Sequence, residues 1–107
     1  AATIVVLDGA QGAPDRLMSA LTATGVRRLD VLVASRPGSG EARMAETLLR
    51  RFPAGAVLAP ARSRLQGATT PPAGSELRVG GLVLRIDEAG DRLGVSVRAA
   101  GARDPPG

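Results

Sequence analysis

Two kinds of hydrophobic spacing divide the chain near residue 76. Thr3 to Leu7 (TIVVL) and Leu29 to Ala34 (LDVLVA) are short continuous apolar runs, the pattern of parallel strands covered on both faces. Between them the spacing is helical. Pro14 suits a first helical position, Asp15 suits the positive end of the helix dipole, Leu17 and Leu21 lie four apart, and Gly25 is a stop signal, which predicts a helix from Pro14 to about Thr24. A helix joining two strands is a crossover, so the strands are expected to be parallel and the connection right-handed. After the Gly-rich turn Ser35 to Gly40 a second helix is predicted, capped by Ser39 and running to about Phe52. Met44, Leu48 and Phe52 recur every four residues in it while Arg43, Glu46 and Arg50 lie elsewhere around the axis. Pro53 ends it. Ala56 to Ala59 reads as a third short strand, and Arg62 to Gly74 as a polar, Pro-rich surface loop.

Beyond Glu76 the period becomes two. Leu77, Val79, Leu82, Leu84 and Ile86, then Leu93, Val95 and Val97, alternate with polar positions, and Gly80-Gly81 and Glu88 to Asp91 mark turns, so an antiparallel meander is predicted. Ala99 to Gly107 (AAGARDPPG) reads as a frayed tail. The expected fold class is therefore a layered α/β domain over residues 1–98, with short parallel strands, two helices and a C-terminal antiparallel meander.

Composition narrows the chemistry. The 107 residues contain no His and no Cys, which removes the commonest metal ligand, the thiolate and the ordinary neutral-pH base. No catalytic residue, metal or cofactor is expected. Phe52 is the only aromatic, so the core must close with aliphatic side chains and nothing is available for stacking bases or sugars. All cations are Arg and none is Lys, with a formal charge of +4 that favours anionic partners. GC-rich codons account for the same bias. No window reaches the ~20 apolar residues of a membrane helix and no signal-peptide pattern opens the chain, so a soluble segment is expected.

Two candidate sites emerge. The turn Ser35 to Gly40 (SRPGSG) leads from a strand into a helix, where free N–H groups and the dipole favour an anion. Ser35, Arg36, Gly38, Ser39 and Gly40 would line it, joined by Gly9 and Gly12 of the first loop (GAQG). It matches neither the P-loop nor the dinucleotide pattern, and a Gly-rich connector is the plainer account. Ser35 or Ser39 as a nucleophile would lack a base. Arg27, Arg28, Arg43, Arg50 and Arg51 are candidate contacts to DNA phosphates, with a solvated surface as the plainer account. The Leu and Val alternation in the last two strands can leave an edge through which a homodimer would form.

The run Gly25 to Pro37 (GVRRLDVLVASRP), preceded by TIVVLDGAQG and a helix, resembles the metallo-β-lactamase-like domain of the ComEC family of DNA-uptake (competence) proteins. Asp8-Gly9-Ala10, Leu29-Asp30 and Ser35-Arg36-Pro37 stand where that family has Asp-Gly-Gly, Leu-Asp and Ser-His-Pro. The Gly80-Gly81 hairpin and the strand from Asp91 to Arg98 are similar to the meander that follows. The resemblance covers about Thr3 to Arg98, the middle of the family's domain. It departs at the metal motif, whose His-(any)-His-(any)-Asp-His aligns with Arg36, Gly38, Gly40 and Glu41. A catalytic zinc-class site needs about three ligands and an open position, which Glu41 with Asp8 nearby does not provide. The resemblance thus implies a degenerate, metal-free form of a trimmed metallo-β-lactamase-like fold. As implied partners it adds the other domains of a larger bacterial cell-membrane protein, on the extracytoplasmic side, and single-stranded DNA bound weakly without sequence preference. The alternative from the residues alone is a small anion- or nucleotide-binding module using loops 9–12 and 35–40.

Overall fold

The computed structural model describes residues 2–7 and 14–99. Its elements are β1 (Ile4–Leu7), α1 (Pro14–Ala23), β2 (Leu29–Ala34), α2 (Ser39–Arg51), β3 (Ala54–Leu58), β4 (Glu76–Val79), β5 (Leu82–Ala89) and β6 (Leu93–Ala99). β1, β2 and β3 form a parallel sheet in that spatial order, and β4, β5 and β6 form an antiparallel one.

The parallel sheet keeps chain order, so each crossover of the same hand puts its helix on the same face. Leu17, Met18 and Leu21 of α1 and Ala42, Ala45 and Leu48 of α2 accordingly share one core with Val5, Leu7, Leu32 and Phe52. The opposite face is covered by the second sheet, where Val31, Val33 and Leu58 pack with Leu84, Ile86 and Leu93. The molecule has three layers: helices, parallel sheet and antiparallel sheet. β2 lies between both cores, and its alternate residues divide accordingly, Leu32 and Ala34 to the helices and Val31 and Val33 to the second sheet. β1 meets the expectation of two covered faces only in part. It is an edge strand, and Val6 is 41% exposed.

Local chemistry sets the ends. Gly25 (φ +82°) donates its N–H to Thr22 at 3.0 Å and Val26 donates to Leu21 at 3.0 Å, the paired bonds of a Schellman stop after α1. Pro53 follows the last turn of α2, and its carbonyl accepts the Leu29 N–H at 2.8 Å, so the helix passes straight into β3. That strand begins at Ala54 and ends at Leu58, earlier than the apolar run 56–59 predicts. Pairing with β2 (Leu29 with Ala54), not side-chain bulk, decides where it starts. The Pro-rich loop is tied down where Ala59 donates to Thr69 at 3.0 Å and Thr69 to Val57 at 2.9 Å, alongside β3. In the meander, Gly80 (φ +56°) makes the turn between Val79 and Leu82, and a bulge lies between Ile86 and Glu88. Ala99, expected to begin the tail, is the last residue of β6 and pairs with Leu82. Residues 100–107 lie outside the described residues.

Candidate functional site

The turn after β2 is a joint. Ser35 is buried, its N–H donates to the Leu7 carbonyl at 2.9 Å, and its own carbonyl accepts the Leu93 N–H at 2.8 Å. One residue thereby ties β1, β2 and the start of β6. Arg36 is exposed, and its N–H donates to Glu41 Oε2 at 2.7 Å. Glu41 is only 5% exposed.

The expected cap is corrected here. Gly38 (φ −62°, ψ 151°) is the N-cap of α2 and Ser39 is its first helical residue, because the Ala42 N–H closes the first turn on the Gly38 carbonyl at 3.2 Å. Gly38 has no side chain with which to cap. Glu41, the third helical residue, reaches back as the acidic residue of a capping box does, although to Arg36 rather than to the cap itself. Its charge also lies at the favourable end of the helix dipole. An N–H of the proposed anion turn is thus bonded to the chain's own carboxylate. The sequence held this signal in the Gly38-(any)-(any)-Glu41 spacing. Gly9, Gly12 and Asp8 lie outside the described residues. In sequence they follow β1, the neighbour of β2, and the described parallel strands show no reversal of order of the kind that opens a ligand crevice.

The arginines gather at the other end. Arg27 and Arg28 precede β2 and line a shallow groove with Thr3, Gly25 and Asp30, and Arg51 adjoins Arg27 around Gly25 and Val26. Asp30, of the Leu-Asp pair, accepts the Thr3 N–H at 2.7 Å and holds the start of β1. Arg28 extends over β3, where a Cβ at Gly55 would come within 3.2 Å of its Nη2. The Arg51 guanidinium stands 5.0 Å from the centre of the buried Phe52 ring, a cation–π contact. Arg50 lies in a separate groove with Glu46, Leu49, Leu65 and Gln66. Arg43 sits eight residues before Arg51, about 12 Å along the helix at 1.5 Å per residue, and is not part of this cluster. Arg50 and Arg51 occupy the last turn of α2, where cations offset the negative end of the dipole.

Among the described residues no group of three His, Cys, Asp or Glu side chains could hold a metal, and no helix is long and apolar enough to cross a membrane. Fold and sites define a small three-layered α/β domain whose strand-to-helix turn is closed by its own carboxylate. Comparison with protein-family models, with curated proteins and with solved structures finds no match.

Proposed function

We propose that this is a non-catalytic accessory domain of a membrane DNA-uptake protein, a trimmed metallo-β-lactamase-like core that packs against its neighbours and guides single-stranded DNA weakly on the extracytoplasmic side. The observation that carries the reading is Glu41. It stands at the last ligand position of the resembled motif, yet it is buried and accepts the Arg36 N–H. A turn that holds ligands in the resembled family serves here to join strand to helix. The two backbone bonds of Ser35 fit the same use, and the layered architecture is compatible with it.

Arg27, shared by two adjoining grooves that Arg28 and Arg51 line in turn, supplies the phosphate-guiding element with them. Single-strand binders add aromatic platforms to such a groove, and the one aromatic of this chain is fully buried. Binding should therefore be weak, sensitive to salt and indifferent to base sequence.

The test is an NMR titration of the full chain with a short single-stranded oligonucleotide at low and at physiological salt. Shifts at Arg27, Arg28 and Arg51 that fade with salt are expected. Saturating shifts confined to Ser35 to Gly40 would replace this reading with the anion- or nucleotide-binding module, which the exposed Arg36 beside the amino end of α2 favours. Hydrolysis of a phosphodiester with added Mn²⁺ or Zn²⁺, lost on replacing Asp8 or Glu41, would overturn the non-catalytic assignment.

A further inference from the structure

The free edge of β6 has a property that the other sheet edges lack. β1 and β4 are four residues long, and β3 is flanked by the bridge to Thr69. β6 runs for seven residues and, among the described residues, pairs with β5 on one side only. Which of its backbone groups face outward follows from the hydrogen bonds. Ile86 donates its N–H to Ser75, on the β4 side, so its pair with Val95 on β6 is a non-hydrogen-bonded one. The polar backbone groups of Val95 therefore point away from β5, and by alternation so do those of Leu93, Val97 and Ala99. The Leu93 N–H is already donated to Ser35 at 2.8 Å. The open stretch is thus Val95, Val97 and Ala99, with Val97 at its centre.

Edge strands are commonly guarded by a charge that blocks pairing. The one charged side chain in β6, Arg98, is drawn back across the sheet to Glu76 of β4, with Nη2 3.1 Å from Oε2. Val97 shares its register position with the buried Leu84, yet it is 44% exposed, and among the described residues no strand lies beyond it.

We infer that this edge pairs with the same edge of a second copy of the chain, antiparallel across a two-fold axis through Val97, to make a continuous six-stranded sheet. In that register Val97 faces Val97 of the other copy, Val95 faces Ala99, and Ser96 faces Arg98. All three outward residues are used, Val97 is covered and no like charges meet. A two-fold axis at Ser96 would instead set Leu93 against Ala99 and compete with the bond to Ser35.

The test is sedimentation of the full chain across a concentration series, combined with cysteine variants. The chain has no Cys, so any disulfide formed by a single substitution joins two copies. A hydrogen-bonded antiparallel pair has Cα atoms about 5.5 Å apart, within the roughly 4.4–6.8 Å that a disulfide spans. We expect a concentration-dependent dimer and faster oxidation to a covalent dimer for Val97→Cys than for Ser96→Cys. We also expect the dimer to be lost in Val97→Arg, which sets like charges face to face. Val97→Pro checks that loss, because it removes an outward N–H without touching the ladder to β5. A chain that stays monomeric at every concentration, a Val97→Arg variant that still dimerises, or equal oxidation rates at positions 96 and 97 would overturn the inference.

Discussion

Glu41 is a carboxylate held in a nearly dry turn by the work it does there. Its oxygen accepts the Arg36 N–H, and its charge faces the amino end of α2. Removing it should leave a donor without its acceptor, which typically costs about 1–3 kcal/mol. Glu41→Ala is expected to lower the unfolding free energy by that amount, read as a lower urea midpoint at an unchanged m-value, and Glu41→Gln, which keeps an acceptor, to lower it less. An unaltered midpoint in Glu41→Ala would remove the structural account of the turn. Phe52 is the second residue on which the fold leans. This largest fully buried side chain lies in a core whose other buried members are Leu, Val and Ala. Phe52→Ala should cost about 3–5 kcal/mol, a large part of the about 5–15 kcal/mol that holds a typical domain together, with Phe52→Leu milder. Circular dichroism during thermal unfolding checks both. The sequence displayed Phe52 as a core residue through its four-residue spacing from Leu48. It did not display Glu41 as one, because an acidic residue in the first turn of a helix usually faces water.

At the scale of elements, two glycines separate backbone strain from crowding. Gly25 (φ +82°) has nothing within 4 Å of a Cβ placed on it, so Gly25→Ala should cost only the conformational term of about 1 kcal/mol. Gly80 (φ +56°) combines a left-handed backbone with an Ala2 Cβ only 3.0 Å from its own added Cβ. Gly80→Ala is expected to lower the melting temperature more than Gly25→Ala does, and equal shifts would mean that the start of the chain yields at no cost. Both stops were legible as glycines at the end of a periodic segment. The bulge at Ile86/Glu88 and the early start of β3 were not, since each is settled by the register of a neighbouring strand. Val83 marks another limit of the alternation. It lies on the face away from Leu84, between Arg78 and Arg98 in register, and is nevertheless 4% exposed. Long aliphatic stems of neighbouring arginines can cover such a position.

For the molecule as a whole, the distribution of arginines sets the expected response to salt. Each phosphate contact to a single strand contributes about 0.7 to the slope of log K against log salt. Replacing Arg27 and Arg28 together by Ala should lower that slope by about 1.4 if both touch phosphate. Arg43→Ala should leave the slope nearly unchanged, because Arg43 lies away from the groove. Fluorescence anisotropy with a labelled oligonucleotide measures all three. A larger loss from Arg43 than from the pair would move the candidate interface to the exposed side of α2. The five arginines were equivalent in the sequence, and only the path of the chain gathers Arg27, Arg28 and Arg51 and sets Arg43 apart.

Sequence alone determined the two periodicities, and with them two helices, the parallel strands before residue 76 and the meander after it. It also determined the absence of imidazole and thiol chemistry. These are properties of residue type and spacing, which act within a few residues of each other. What the tertiary structure decided depends on groups far apart in the chain. It set the antiparallel sheet against the face of the parallel sheet that the helices leave open, and Ser35 between Leu7 and Leu93. It also turned the Glu41 carboxylate inward to a backbone donor and left Val97 at an open edge. In each case the outcome depends on which backbone groups and side chains find partners across the fold, and that is decided only when the layers close.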